Sequence, residues 1–149
     1  MSLPHSLFLV IFGASGDLTR RKLMPALIKI HNGKRFPEHF CHYRLCPYCI
    51  HGRDLSCLSE RRTDKNSVFL LKRKWKHLDD FLSTVHYQSM TQLTKPLIFC
   101  LNDRLKELSP QYENNGNYLF YLATPPLLYE LIPKCLHDAG LLKKPRIKA

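Results

Sequence analysis

The sequence predicts an α/β domain in which parallel strands are flanked by helices, with an irregular middle. Two apolar runs, Leu7–Phe12 and Tyr118–Ala123, have the continuous hydrophobicity of strands that are buried on both faces. Each run is followed by a turn and then by residues with helical spacing, Leu18–Ile30 after the first and Leu127–Ala139 after the second. Strands that alternate with helices in this way are typical of a parallel sheet.

Length and composition restrict the protein to a single folded domain. The chain has 149 residues, and 44% of them are hydrophobic, which is the composition of a globular domain and not of a disordered chain. No apolar run approaches the roughly 20 residues that a membrane helix needs. No basic amino-terminal region followed by a long apolar core marks a signal peptide. We therefore expect a cytoplasmic protein with no membrane partner.

Local signals place the ends of the helices. Pro25 lies inside the first helix and predicts that it is bent or locally irregular, whereas Gly33 is expected to end that helix in a left-handed conformation. Leu101–Leu108 has helical spacing, and Glu113–Gly116 is predicted to be a turn. Gly140 is expected to cap the last helix.

A glycine turn joins the first strand to the first helix. Its residues are Gly13-Ala14-Ser15-Gly16. Gly13 can form the tight turn, and Gly16 lets a pyrophosphate approach the backbone closely. The unpaired N–H groups at the start of the helix would then face the anion. Four residues alone also fit an ordinary turn between a strand and a helix, so the longer surrounding sequence has to decide.

Three longer segments resemble the amino-terminal part of glucose-6-phosphate dehydrogenases. Ile11–Leu23, followed by Pro25-Ala26-Leu27, is similar to the start of that family, F-G-A-S-G-D-L and then basic residues. Leu101–Leu108 resembles a later helix of the family, and Asn117–Pro126 resembles the strand after it, which ends in Pro-Pro. The three segments follow the family's order and approximate spacing. The resemblance implies that residues 1–149 form an incomplete Rossmann-like NADP-binding domain.

The resemblance implies a cofactor, a substrate and a set of contacts. The cofactor is NADP, and the full-length enzymes oxidise glucose 6-phosphate to 6-phosphogluconolactone in the pentose phosphate pathway. We expect Tyr118, Phe120 and Leu122 to pack in the core instead of binding cofactor. The expected cofactor-binding residues are Gly13, Ala14, Ser15, Gly16, Asp17, Leu18, Tyr121, Ala123, Thr124 and Pro125.

No catalytic residue is assigned to this chain. The family's catalytic histidine lies in a D-H-Y-L-G-K-E segment of a second domain, and this segment does not occur in the sequence. His86 and His137 are the remaining candidates for a base, and we expect a structural or surface role for both. The chain alone is therefore expected to be inactive in hydride transfer.

The middle of the chain differs in composition from its ends. Between Cys41 and His77 there are nine Lys or Arg and three Asp or Glu, so this segment supplies +6 of the net charge of +11. The family has a strand of the type I-V-G-Y-A-R here, whose arginine contacts the adenosine 2′-phosphate of NADP. We hypothesise that the frame slips near Phe40, in the gene or in its sequencing, because a reading one base later allows A-I-I-G-Y-A-R from Cys41 onwards.

This hypothesis has structural consequences. The second strand of the sheet would be lost, and one side of the first strand would lack its partner. The first strand and Tyr118–Ala123 would still be neighbours. Arg44 should not be taken as the arginine that binds the 2′-phosphate, because it lies in the suspect segment. Residues 41–77 are accordingly expected to be non-native or poorly ordered.

Two alternatives come from the same segment. Cys46 and Cys49 form a C-x-x-C pair with Cys41 and Cys57 nearby, which is compatible with a small zinc-binding module, although a second such pair is missing. The basic residues Arg61-Arg62 and the run Lys72–Lys76 are compatible with a basic nucleic-acid-binding protein, although such runs usually form a solvated surface. We therefore expect no metal and no nucleic acid as partners.

Overall fold

The computed structural model describes residues 4–46, 77–89 and 94–142. None of the helices in these ranges is long and apolar enough to cross a membrane. The elements are β1 (Ser6–Phe12), a π-helical turn (Thr19–Leu23), α1 (Met24–Asn32), β2 (His39–Cys46), α2 (Leu78–Ser83), β3 (Val85–Ser89), α3 (Lys95–Leu108), a 3₁₀ turn (Ser109–Tyr112), β4 (Tyr118–Leu122), a second 3₁₀ turn (Pro126–Leu128) and α4 (Leu131–Asp138).

The four strands form one parallel sheet in the order β3-β2-β1-β4. β1 lies between β2 and β4, with Val10 opposite Tyr43 on one side and opposite Phe120 on the other. The parallel α/β architecture predicted from the sequence is therefore confirmed, and so is the prediction that β1 and β4 are neighbours.

The prediction that the second strand is missing is wrong. His39–Cys46 pair with β1 along its whole length, from Ser6 opposite His39 to Phe12 opposite Leu45. β1 is thus paired on both sides, and β2 also pairs with β3. The backbone forms these bonds although the sequence lacks the apolar pattern of a central strand, because every backbone N–H and C=O that is buried beside β1 needs a partner. The remaining part of the suspect segment, residues 47–76, lies outside the described residues.

Helices cover both faces of the sheet. On one face, Phe8, Val10 and Phe12 pack with buried side chains of α3 and α4, among them Leu101 and Ile132. On the other face, Leu9 and Ile11 pack with buried side chains of α1 and α2, among them Ile28 and Phe81. Because successive strand residues point to opposite faces, a strand covered by helices on both faces must be apolar throughout, as β1 is.

The helix ends agree only partly with the sequence. Gly140 has φ +74°, and Leu141 N–H donates to the Leu136 carbonyl at 2.9 Å, so the predicted glycine cap of the last helix is confirmed. That helix is shorter than predicted, because the residues after Pro125 first form a 3₁₀ turn. At the end of α1 the prediction for Gly33 is wrong: Gly33 has φ −78°.

The residue after Gly33 takes the left-handed conformation at the end of α1. Lys34 has φ +51°, and Arg35 N–H donates to the Ile30 carbonyl at 3.1 Å. The predicted turn before β4 is confirmed by Asn114, whose side-chain Oδ1 accepts the Gly116 and Asn117 amides at 2.7 Å each.

Candidate functional site

Gly13 forms the turn at the carboxyl end of β1. Its φ is +77°, which an L side chain rarely adopts, and a Cβ added there would lie 2.2 Å from the carbonyl oxygen of Ala123. The Gly13 carbonyl accepts the Gly16 amide at 3.0 Å and the Thr19 hydroxyl at 3.3 Å. Glycine is thus required here, because the backbones after β1 and β4 touch each other.

Residues from two separate parts of the sequence meet at this turn. The Ala123 amide donates to the Phe12 carbonyl at 2.9 Å and so continues the β1–β4 pairing up to the turn. The Thr124 methyl group lies 3.3 Å from the position of a Cβ on Gly13. The glycine turn and the residues after β4, which the resemblance assigned to one site, are therefore adjacent.

The turn offers fewer amides to an anion than expected. The Gly13 and Ala14 amides both donate to the Leu45 carbonyl of β2 at 3.1 Å, and the Gly16 amide is held by Gly13. Ala14 is buried, and its methyl group belongs to the core under α1. Ser15 is exposed at the tip, and within the described chain its amide has no acceptor. An anion would therefore meet Ser15 and the first helical residues, not the whole turn.

The helix after the turn begins irregularly. The chain becomes helical at Asp17, passes through the π-helical turn and reaches α1 at Met24, where the Met24 N–H donates to the Thr19 carbonyl five residues earlier. Pro25 accounts for this wider turn, since it has no N–H and its ring crowds the carbonyl four residues before it. The locally irregular helix predicted from Pro25 is confirmed.

Three exposed side chains follow the glycine turn, those of Asp17, Leu18 and Arg21. The Asp17 carboxylate accepts a hydrogen bond from Arg21 Nε at 2.8 Å, and both side chains are more than half exposed. Leu18 is 51% exposed, so its side chain adds nothing to the core. An exposed pair of this kind contributes little to stability.

β4 brings the other candidate residues to the site. Tyr121 is 37% exposed, and Pro125 is exposed. The Thr124 hydroxyl is buried without a hydrogen-bond partner in the described part of the chain. A buried hydroxyl without a partner is costly, so this atom is suited to meet a polar ligand group.

The opposite face of β4 packs on the core, as predicted. Tyr118, Phe120 and Leu122 are partly buried against the cluster that β1 forms with α3 and α4. The Tyr118 ring lies 5.9 Å from that of Phe8. These three side chains therefore support the sheet.

Arg44 lies inside the domain. Its side chain is fully buried, Nη1 donates to the Tyr87 hydroxyl at 2.6 Å, and the guanidinium carbon lies 5.2 Å from the centre of the Tyr87 ring. Because this guanidinium is fully buried, it is not exposed to a ligand. Excluding Arg44 as a ligand of a 2′-phosphate agrees with this position.

Sequence comparison identifies the family. The family model described as "Glucose-6-phosphate dehydrogenase, NAD binding domain" matches residues 10–148. The chain belongs to this family. Among the described residues, the match includes the glycine turn, the end of β1 from Val10, β2 to β4 and α1 to α4.

Individual glucose-6-phosphate dehydrogenases show the same relationship. The chain is 37% identical over 149 aligned residues to glucose-6-phosphate 1-dehydrogenase of Aggregatibacter actinomycetemcomitans, covering 93% of this chain and 27% of the relative. It is 33% identical over 134 residues to that of Bacillus subtilis, covering 89% and 26%. The chain spans about a quarter of the length of the curated relatives that it matches.

Solved structures support the fold. The structure described as glucose-6-phosphate dehydrogenase in complex with its substrate glucose-6-phosphate matches with a TM-score of 0.73 at 20% identity, covering 96% of this chain and 28% of that chain. Glucose-6-phosphate 1-dehydrogenase from Mycobacterium avium matches with a TM-score of 0.62 at 21% identity, covering 94% and 28%.

The described residues give no support to the alternative that cysteines of this chain form a small zinc-binding module. Cys41 is buried in the core, and burial raises the pKa of its thiol to about 12, which disfavours the thiolate that zinc requires. Cys49 and Cys57 lie outside the described residues, and so do Arg61-Arg62 and the basic run Lys72–Lys76, on which the nucleic-acid alternative rests.

Neither candidate histidine is near the glycine turn. His86 Nε2 forms a 2.8 Å hydrogen bond with the Tyr112 hydroxyl, and burial lowers the pKa of His86. His137 lies on the exposed side of α4, 3.9 Å from the Asp138 carboxylate. Both contacts fit the structural and surface roles expected from the sequence.

Sequence reasoning missed the contribution of Leu45. Its carbonyl oxygen accepts hydrogen bonds from the amides of Gly13 and Ala14, so β2 fixes the position of the glycine turn. A backbone acceptor has no signature in the sequence. Only the assignment of residues 39–46 as the strand next to β1 could have suggested it.

Proposed function

We propose that this chain is the cofactor-binding part of a glucose-6-phosphate dehydrogenase and holds the pyrophosphate of NADP at the turn Gly13–Leu18. The observation that carries the proposal is the close approach of Gly13 to the Ala123 carbonyl, which leaves no room for a side chain between the ends of β1 and β4. A parallel sheet binds ligands at the carboxyl ends of its strands, and a helix begins directly after this turn.

Each part of the site has a separate task in this proposal. Ser15 and the first helical residues donate N–H groups to the phosphates, and the positive end of the helix favours their charge. The unsatisfied Thr124 hydroxyl and the exposed Tyr121 and Pro125 lie on the side that the nicotinamide would occupy. Gly13 and Ala14 shape the turn, since their amides are already bonded to Leu45.

The reaction belongs to the complete enzyme. When bound, NADP would supply the hydride acceptor for the oxidation of C1 of glucose 6-phosphate to 6-phosphogluconolactone, and a base would take the proton of the C1 hydroxyl. The residues of this chain would bind and orient the cofactor, and none of them is proposed as the base. We propose the cytoplasm as the location of this chain, because the relatives are enzymes of soluble sugar phosphates.

Titration with NADPH, followed by its fluorescence, tests the proposal. The variant Ser15→Asp places a carboxylate at the exposed tip, where it would repel the pyrophosphate. We expect its dissociation constant to rise at least about tenfold, which corresponds to about 1.4 kcal/mol. Glucose 6-phosphate is not needed, because only binding of the cofactor is measured.

Gln111→Glu is the matched control. It adds the same single negative charge at an exposed residue. This residue lies in the 3₁₀ turn before β4, at the end of the sheet where the strands begin. Its affinity for NADPH should equal that of the unmodified chain. The proposal is wrong if the unmodified chain does not bind NADPH, or if both variants lose the same affinity.

A further inference from the structure

Two histidines meet where β1 and β2 begin, at the end of the sheet opposite the glycine turn. His5 directly precedes β1, and His39 is the first residue of β2. The His39 amide donates to the His5 carbonyl at 3.3 Å, and the centres of the two imidazole rings are 4.8 Å apart. The parallel pairing of β1 with β2 therefore brings both rings to one place, although 33 residues separate them between positions 5 and 39.

A carboxylate lies between these imidazoles. Glu113 Oε2 is 3.0 Å from His5 Nε2 and 3.8 Å from His39 Nε2. The backbone of Glu113 is fixed nearby, because Ser6 Oγ donates to its carbonyl at 3.2 Å. The three side chains come from three segments of the chain, and the fold alone brings them together.

Glu38 adds a second carboxylate. A nitrogen of His5, a nitrogen of His39 and an oxygen of Glu38 all lie within 4.8 Å of one another. A tetrahedral ion with ligands at about 2.0–2.2 Å requires ligand atoms about 3.3–3.6 Å apart. The side chains of His5 and Glu113 are 61% and 63% exposed, so small rotations can close the remaining distance.

We propose that His5, His39, Glu38 and Glu113 form a binding site for one divalent first-row transition ion, with Zn²⁺ as the best match. Two imidazoles and two carboxylates suit a tetrahedral zinc ion. Ca²⁺ and Mg²⁺ prefer sites made of oxygen ligands, so the two imidazoles select against them. The two negative charges also offset the ion's charge in a chain that is otherwise strongly basic.

The proposed ion would connect the starts of β1 and β2 with the loop before β4. β1 has seven residues, and at about 3.3 Å per residue the site lies roughly 20 Å from the glycine turn. The ion would therefore stabilise the sheet and leave the affinity for NADPH unchanged. This separates the metal site from the proposed cofactor site.

Calorimetric titration of the full chain with Zn²⁺ tests the proposal. We expect one ion per chain and a higher melting temperature in its presence. His5→Gln and Glu113→Gln should each weaken binding about tenfold or more, because each removes one ligand. Both residues are exposed, so these variants should keep the far-UV circular dichroism of the unmodified chain. His137→Gln, which changes another exposed histidine, should bind Zn²⁺ normally.

Titration with Co²⁺ distinguishes this site from the cysteines. Thiolate ligands give an intense charge-transfer absorption in the near ultraviolet, and sites made of nitrogen and oxygen give only weak visible bands. We expect the weak bands, and we expect His5→Gln to reduce them. The proposal is overturned if no ion binds, if thiolate absorption accounts for the bound cobalt, or if His5→Gln and Glu113→Gln bind as tightly as the control.

Discussion

Replacing His42 with isoleucine is expected to stabilise this domain. His42 lies in the middle of β2, is fully buried, and has its ring 5.7 Å from that of Phe81 and 6.4 Å from that of Phe40. Neither ring nitrogen has a hydrogen-bond partner in the described part of the chain. Burial and, secondarily, the charge of Arg44 hold the pKa of His42 well below its ordinary value of 6.5.

The expected gain follows from the missing hydrogen bonds. A buried polar group without a partner costs about 1–3 kcal/mol. Isoleucine has a similar size, carries no polar atom and is favoured in strands. His42→Ile should therefore raise the free energy of unfolding by about 1–3 kcal/mol, and for a chain of this size each kcal/mol raises the melting temperature by about 2–4 °C.

The dependence on pH provides a second readout. The pKa of His42 is lowered on folding. Below about pH 6.5 this imidazole therefore binds a proton in the unfolded chain and stays neutral in the folded chain. Stability is therefore complete above that pH and falls as the pH decreases below it. His42→Ile should flatten this fall, although His31 and His86, whose pKa values are also lowered, keep part of it.

Denaturant unfolding at pH 7.5 and pH 5.5 measures both effects. His137→Gln is the control, since it removes an exposed histidine and should change neither value. A His42→Ile variant that is less stable than the unmodified chain at pH 7.5 would refute the reasoning. The reasoning would also be refuted if stability fell by the same amount between pH 7.5 and pH 5.5 in His42→Ile and in the unmodified chain.

Two further predictions concern glycine and cysteine. Gly13→Ala should lower the free energy of unfolding by about 2–5 kcal/mol, since it combines a positive φ with overlap of a carbonyl oxygen, whereas Gly140→Ala, with φ +74° and nothing within 4 Å, should cost only about 1–2 kcal/mol. Equal losses in denaturant titrations would contradict this difference. Iodoacetamide should label the exposed Cys100 faster than the buried Cys41, whose pKa is raised to about 12 by burial; mass spectrometry of the peptides measures the order, and faster labelling of Cys41 would contradict it.

β1, the glycine turn and the end of α4 could be predicted because their sequence agrees with their environment. β1 is apolar throughout, as a strand covered on both faces must be, and the glycine that follows it has the positive φ that only glycine adopts readily. The cap at Gly140 likewise satisfied a local rule. Such elements are specified by residues that lie close together in the chain.

β2 could not be predicted, because three of its residues contradict its position. Its buried face towards α1 carries the side chains of His42 and Arg44, two residue types that are mostly exposed in folded proteins, and the strand begins with His39. The pairing of β2 with β1 and β3 depends on residues distant in sequence, so no local pattern reports it. The contact of Leu45 with the glycine turn was missed for the same reason.

The burial of His42 and Arg44 in β2 is relevant to the origin of this strand's sequence. We infer that the reading frame slips near Phe40, because reading one base later allows isoleucine at position 42 and glycine at position 44, the two places where β2 buries a polar side chain. Natural sequences rarely place an imidazole without a hydrogen bond in a buried parallel strand, as is the case for His42 within the described residues. On the other face, Cys41, Tyr43 and Leu45 belong to the core, so this strand has one face that fits its position. Fresh sequencing of the gene decides between the alternatives: an uninterrupted frame that encodes His42 and Arg44, without an adjacent frame for A-I-I-G-Y-A-R, would refute the slip and leave these buried groups as a property of the native protein.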